Sequence, residues 1–139
     1  AKNDVDQRAS HFATGDWYGK LLRRSALVLT HEITHMFGIK HCSYFGCRME
    51  AAGARSGDIL RDTDALPADL CPVDLRKLGE ACQFDLEARY VALLGAARKM
   101  QNAALAHVDG GAAAGKVFAK DIAWFEKRCA RICELVETS

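Results

Sequence analysis

The chain lacks the features that mark several broad classes of protein. Its 139 residues carry a formal net charge of only +1, from 19 basic and 18 acidic residues, so its charge does not favour a nucleic-acid partner. No apolar run approaches the roughly 20 residues needed to cross a bilayer, and the first residues do not form the charged and then apolar pattern of a signal peptide. We therefore expect neither a nucleic-acid nor a membrane partner, and the length fits a single domain over residues 1–139.

A strand pattern is also lacking in the first part of the chain. Residues 1–16 are polar and have no periodicity, which predicts a loosely ordered arm. Apolar residues then recur at helical spacing, which predicts a helix over residues 17–37 with Asp16 as its N-cap. Residues 38–71 are rich in glycine and aspartate, which predicts an irregular region.

The rest of the chain, residues 72–139, is predicted to be helical. Apolar residues at helical spacing indicate one long helix over residues 72–102, in which Gly79 and Gly95 mark the expected positions of a kink or break. A second amphipathic helix is predicted over residues 116–136. The expected fold class is therefore mainly α.

The residues that carry chemistry are concentrated in the stretch HEITHMFGIKH, which begins at His31. His31 and His35 are four residues apart, so they lie about one turn apart on one face of the predicted helix, where two neutral imidazoles can bind one zinc ion. Glu32 lies beside them and can reach a water on the open side of the metal. Gly38 can take the left-handed conformation that ends a helix, which lets the chain return and bring His41 to the same metal.

Three protein ligands and a vacant position are typical of a catalytic rather than a structural zinc site. The full string HExxHxxGxxH is the signature of metzincin metalloproteases. In such a site zinc lowers the pKa of its bound water toward about 7, and Glu32 takes the proton and passes it to the leaving amine. We therefore predict a zinc-dependent metallopeptidase that acts on a peptide or protein substrate. Tyr44 lies close enough in the chain to be considered as an oxyanion stabiliser.

The residues that follow His41 indicate a narrower family. Cys42 comes directly after it, Cys47 and Met49 follow, and Leu70-Cys71-Pro72 and then LRKL at residues 75–78 come much later. This arrangement closely resembles the archaemetzincins, whose pattern is HExxHxxGxxHC, four residues, CxM, and then CPxC before LRKL. The resemblance implies that the three histidines hold a catalytic zinc ion, with Met49 packed beneath it, and that four cysteines hold a second, structural zinc ion.

Only three of those four cysteines are present here. Carried over to this sequence, the second site uses Cys42, Cys47 and Cys71, while position 74 is Asp74 where the family has cysteine. An aspartate oxygen is a legitimate zinc ligand, so Asp74 can complete the site; the alternative is an acidic residue in a first helical turn, where it suits the helix dipole. Cys82 is a poor substitute, because it lies about 12 Å along the helix from Asp74 at 1.5 Å per residue.

Three thiols at metal-ligand spacing beside a histidine motif favour reduced cysteines and an intracellular, cytoplasmic compartment. The resemblance also implies an α+β family fold, with a mostly parallel sheet before the zinc helix. Only 30 residues precede His31, so we expect that sheet to be largely absent, the chain to be the C-terminal part of a metzincin-like zincin domain, and apolar surface of the zinc helix to be uncovered. Two alternatives to an active enzyme remain: a zinc-binding structural or interaction domain, and an inactive fragment of such a peptidase.

Overall fold

The structure, a computed structural model, is mainly helical, as the sequence predicts. It describes residues 16–43, 46–51, 65–107 and 111–138, and within these ranges it contains no strand. In chain order the helices are α1 (Trp17–Met36), α2 (Pro72–Cys82), α3 (Leu86–Ala106), α4 (Gly111–Lys116) and α5 (Ala119–Glu137). Most of the predicted polar arm, residues 1–15, and parts of the irregular region, residues 44–45 and 52–64, lie outside the described residues.

Helix α1 agrees with the predicted helix to within one residue. It begins after Asp16, whose main-chain oxygen accepts a hydrogen bond from the amide of Lys20 at 3.0 Å, and the two side chains also form an ion pair at 2.9 Å. The helix ends in a turn in which the amide of Gly38 donates to the carbonyl of His35 at 2.9 Å. Gly38 has a φ of 80°, the left-handed conformation predicted for it, which directs the chain away from the helix axis.

The single long helix predicted over residues 72–102 is wrong, because the structure divides it into α2 and α3. The break lies at Gln83, which has φ 52° and ψ 42° and donates its amide to the carbonyl of Gly79 at 2.7 Å. Asp85 then caps α3, since its Oδ1 accepts the amide of Ala88 at 2.7 Å. The break is therefore made by a left-handed glutamine and an aspartate cap rather than at either glycine, and α3 continues through Gly95.

The chain divides into two compact units. One, the terminal unit, comprises residues 1–23 and 90–139; the other, the ligand unit, comprises residues 24–89. A single domain over residues 1–139 stays a prediction. No helix among the described residues combines the length and the apolar character needed to cross a membrane.

The terminal unit is built around small and aromatic side chains. Phe118, Ala104 and Ala114 are buried together, and Tyr18, Leu22, Met100, Val117 and Ile122 pack against them. Gly19 of α1 lies so close to the main chain of Ala114 in α4 that a Cβ there would contact its carbonyl group. Arg23 and Asp121 join α1 to α5 by a two-pronged ion pair, with nitrogen to oxygen distances of 2.6 and 3.0 Å.

The ligand unit is built around the irregular region. Its buried cluster contains Ile39, Cys47, Met49, Leu70 and Cys71, with Cys42, Leu75 and Leu78 packed against it. The buried carboxylate of Asp69 anchors the second part of the region, because its Oδ1 accepts from Arg89 Nη2 at 2.9 Å. Apolar side chains on α1 in this unit are exposed, among them Leu29, Ile33 and Met36.

Candidate metal centres

Helix α1 and the turn that follows it bring three imidazoles together. His31 and His35 lie one turn apart on α1, and the left-handed Gly38 returns the chain so that His41 faces both rings. The Nε2 atoms of His31 and His35 are 3.1 Å apart, and that of His41 lies 3.2 Å from the first and 3.3 Å from the second. A tetrahedral ion that binds each nitrogen at about 2.05 Å would separate the nitrogens by about 3.3 Å, so the three rings fit one zinc ion.

Hydrogen bonds on the far side of two rings set which nitrogen carries the proton. His31 Nδ1 lies 2.9 Å from the carbonyl oxygen of Arg48, and His35 Nδ1 lies 2.7 Å from that of Ile39. Because a carbonyl only accepts, each Nδ1 must donate, which leaves the Nε2 lone pair of a neutral ring free. Burial, the largest influence, lowers the pKa of His31, which also favours the neutral ring. Two lone pairs therefore face each other at 3.1 Å, an arrangement that a cation between them stabilises.

The Arg48 carbonyl is itself held in place by the main chain around it. The Arg48 amide donates to the carbonyl oxygen of Asp69 at 3.0 Å, and the Arg48 side chain is buried. The carbonyl that orients His31 is therefore part of a hydrogen-bonded turn rather than of a free loop. Such a partner behind a ligand histidine fixes its ring orientation and raises its basicity.

Glu32, the predicted general base, lies on α1 directly after His31, and its side chain is exposed. The carboxylate is therefore accessible to water. Its role as a base stays a prediction. Tyr44 lies outside the described residues, while Met49, predicted to pack beneath the catalytic metal, is fully buried in the ligand unit.

The four residues predicted for the second site also lie together. The ligand atoms of Cys42, Cys47, Cys71 and Asp74 are all within 4.8 Å of one another. The sulfurs of Cys42 and Cys71 are 3.9 Å apart, and the sulfur of Cys47 lies 3.4 Å from Asp74 Oδ2. A tetrahedral zinc ion would separate two thiolate sulfurs by about 3.8 Å and a sulfur from a carboxylate oxygen by about 3.5 Å. Three sulfurs and one oxygen therefore fit a closed zinc site.

The start of α2 places two of these ligands. Cys71 is the N-cap residue, and its sulfur accepts a hydrogen bond from the amide of Asp74 at 3.5 Å. Pro72 occupies the first turn of the helix. Cys82, at the other end of α2, is exposed and is not part of the group.

Main-chain amides and burial act in opposite directions on the thiol of Cys47. Its sulfur accepts hydrogen bonds from the amides of Cys71 at 3.2 Å and Met49 at 3.4 Å, and the residue is fully buried. Burial nevertheless raises the pKa of the Cys47 thiol to about 12. Without a cation the thiol is therefore protonated at neutral pH, whereas a coordinated thiol is deprotonated by the metal itself.

The Asp74 carboxylate is ionised and paired. Its Oδ1 accepts from Lys77 Nζ at 2.9 Å, and the Asp74 side chain is only 3% exposed. Burial opposes ionisation of this carboxyl, but the hydrogen bonds from Lys77 and Cys47 outweigh it and hold its pKa below the usual value. Sequence reasoning gave Lys77 no role, although its position three residues after an aspartate on a helix is a spacing at which such pairs form.

About half of the chain is similar in sequence to known proteins, and the relatives described here are all archaemetzincins. An archaemetzincin-2 of Macaca fascicularis is 43% identical over 74 residues, which is 53% of this chain and 19% of that protein. The human archaemetzincin-2 is 42% identical over 74 residues, also 53% of this chain and 19% of that protein. The human archaemetzincin-1 is 36% identical over 63 residues, which is 45% of this chain and 12% of that protein. No protein-family model and no solved structure matches.

The matched half of the chain is therefore similar to the archaemetzincins, and the histidine and cysteine groups of the ligand unit are in keeping with a metal-binding protein. The similarity to both archaemetzincin-1 and archaemetzincin-2 confirms the resemblance drawn from the motif residues. The chain spans about a fifth of the length of the archaemetzincin-2 relatives that it matches.

Proposed function

We propose that the ligand unit is the metal-binding core of a zinc metallopeptidase, with a catalytic and a structural zinc site. The catalytic ligands are His31, His35 and His41, and Glu32 is the general base. The structural ligands are Cys42, Cys47, Cys71 and Asp74. The observation that carries the proposal is the convergence of three Nε2 atoms at 3.1 to 3.3 Å, since three neutral imidazoles with an open side are the ligand set of a catalytic zinc.

The three histidines would hold the metal through their Nε2 atoms. Zinc bound there supplies a Lewis acid that polarises a peptide carbonyl and makes a water acidic near neutral pH. The carbonyls of Arg48 and Ile39 keep the protons of His31 and His35 on Nδ1, so that both Nε2 atoms stay available as ligands. The exposed Glu32 carboxylate accepts a proton from water and returns it to the leaving amine of the cleaved peptide bond.

The relatives support a proposal about the substrate, and the free thiols support one about the cellular compartment. The archaemetzincin relatives support a peptide or protein as substrate. A site that depends on three reduced thiols requires a reducing compartment, which favours an intracellular protein.

The test compares the parent chain with Glu32→Gln and Glu80→Gln in two assays, zinc content of the purified protein and cleavage of a mixed peptide library. Glu80 is the matched control, because it is an exposed glutamate on α2 that pairs with Arg76. We expect all three proteins to carry the same amount of zinc, and only Glu32→Gln to lose cleavage. Zinc bound by all three with no cleavage by any would refute the peptidase proposal, and absence of zinc would refute both sites.

A second candidate is a zinc-binding structural or interaction domain, or an inactive fragment of such a peptidase. The closed group of three sulfurs and one carboxylate favours it, because a metal with four protein ligands has no open position and acts structurally. The share of the relatives that the chain matches, about a fifth, is also compatible with it. Zinc content without cleavage is the result that this candidate predicts.

A further inference from the structure

The two oxygens of the Asp74 carboxylate have different partners. Oδ1 receives a hydrogen bond from Lys77 Nζ at 2.9 Å, and Oδ2 faces the sulfur of Cys47 at 3.4 Å. The carboxylate is therefore held so that one oxygen faces Cys47 and the other is bonded to Lys77. A carboxylate free to rotate would offer either oxygen, or both, to a metal.

The geometry of α2 accounts for the different partners of the two Asp74 oxygens. Cys71, Asp74 and Lys77 follow one another at three-residue spacing, so their side chains lie along one face of the start of the helix. The Asp74 amide is bonded to the Cys71 sulfur at 3.5 Å, which fixes the main chain of the aspartate relative to one thiol. Lys77 is 57% exposed at its side chain, so its ammonium group reaches Oδ1 from the solvent side.

The charge of the site indicates a second role for Lys77. Three thiolates and one carboxylate carry four negative charges, whereas a zinc ion carries two positive charges. The metal therefore leaves an excess of negative charge in a largely buried group, and the ammonium of Lys77 lies next to one of its members.

We propose that Lys77 is a positioning residue for the metal at Cys42, Cys47, Cys71 and Asp74. It keeps Asp74 as a ligand through one oxygen and offsets part of the negative charge of the site. This inference rests on the proposed structural zinc site.

The first experiment titrates the full chain with Co²⁺ and then displaces the Co²⁺ with Zn²⁺. Absorption from sulfur-to-cobalt charge transfer distinguishes this site from the histidine group, which contains no thiolate. Replacing Lys77 by methionine removes the charge but keeps most of the side-chain length, and we expect the affinity for Co²⁺ to fall roughly 10-fold or more, as is typical for loss of a group that orients a metal ligand. Lys77→Arg should restore most of the affinity.

The matched control is Arg76→Met, which removes a positive charge one residue away on the same helix. Arg76 pairs with Glu80 at 3.0 Å and has an 82% exposed side chain, so its loss should leave the affinity within about 2-fold of the parent. An equal effect of Arg76→Met and Lys77→Met would overturn the inference, because it would reduce the role of Lys77 to general charge.

A double-mutant cycle separates positioning from a merely structural effect. Asp74→Cys provides a fourth thiolate that needs no orientation by an ammonium group but keeps the charge of the site, so Lys77→Met should lose the orienting part of its effect in that background. Asp74→Asn, which removes the carboxylate charge, serves as the second background, and the effect of Lys77→Met should shrink there also. The same loss of affinity in all three backgrounds would overturn the inference. No charge-transfer band in the parent chain would instead overturn the proposed structural site itself.

Discussion

We expect replacement by alanine to change the stability of the protein in opposite directions at two glycines of the terminal unit. Gly19 of α1 and Gly95 of α3 both lie inside helices, where replacing glycine by alanine ordinarily stabilises a protein by about 0.5 to 1 kcal/mol. The surroundings of the two positions differ. A Cβ on Gly95 would have no neighbour within 4 Å, whereas a Cβ on Gly19 would lie 3.0 Å from the carbonyl carbon and 3.1 Å from the Cα of Ala114.

The clash at Gly19 is with main chain, which cannot rotate away as a flexible side chain can. To admit the methyl group, α1 and α4 must move apart, and added volume of this kind in a packed contact destabilises a protein by about 1 to 3 kcal/mol. Because the contact is with main chain, the upper part of that range applies, and subtracting a helix-propensity gain of about 1 kcal/mol from about 2 to 3 kcal/mol leaves a net destabilisation of about 1 to 2 kcal/mol for Gly19→Ala. Gly95→Ala keeps the gain and should stabilise by about 0.5 to 1 kcal/mol.

Urea unfolding of the zinc-loaded chain, followed by far-ultraviolet circular dichroism, measures both changes. With a slope of about 1 to 3 kcal/mol/M, Gly19→Ala should lower the midpoint by roughly 1 M and Gly95→Ala should raise it by roughly 0.5 M. Both residues belong to the terminal unit, so the two variants report on the same unfolding unit. A rise of the midpoint in Gly19→Ala, like that in Gly95→Ala, would show that the close approach of α1 to α4 is not present.

Two further predictions concern an ion pair and the thiols. Asp121→Asn should lower the free energy of unfolding by about 1.5 to 3 kcal/mol, because it removes a two-pronged, charge-assisted hydrogen bond to the largely buried guanidinium of Arg23. Glu126→Gln, which breaks a half-exposed pair, should lower it by less than about 1 kcal/mol, and equal effects in denaturant unfolding would contradict this reasoning. Brief treatment of the zinc-loaded chain with a maleimide should modify the exposed Cys82 and spare the buried Cys47, as peptide mass mapping will show. A chelator should make Cys42, the partly exposed thiol of the same group, more reactive than in the zinc-loaded chain, and an unchanged rate after chelation would argue against a metal at its sulfur.

The sequence predicts those parts of the site that depend on local geometry. Four-residue spacing on a helix places His31 next to His35 whatever surrounds them, and the left-handed turn at Gly38 follows from a residue without a Cβ. The grouping of Cys42 and Cys47 with Cys71 required the family resemblance. Spacing alone does not show that residues 29 positions apart in the chain meet.

Other features depend on tertiary contacts or on the main chain, and so leave little trace in the sequence. The carbonyls that orient His31 and His35 belong to Arg48 and Ile39, but any residue type supplies a carbonyl, so no side-chain pattern identifies them. The break at Gln83 was missed because glutamine rarely adopts a positive φ. Asp85, a good N-cap residue before an apolar run, was the available signal for a new helix start.

The segment from His41 to Met49 contributes residues to both candidate metal sites. His41 of the histidine group is bonded covalently to Cys42 of the cysteine group, and Cys47 directly precedes the Arg48 carbonyl that holds His31. An ion at the cysteine group therefore restricts the freedom of a ligand and of an orienting carbonyl of the histidine group, and thereby reduces the entropy that the second ion must overcome. Two zinc ions bound in this way would therefore have linked affinities, and because such linkage is reciprocal, each ion would tighten the binding of the other by the same factor. Zinc uptake by this chain is consequently expected to be cooperative within a single subunit.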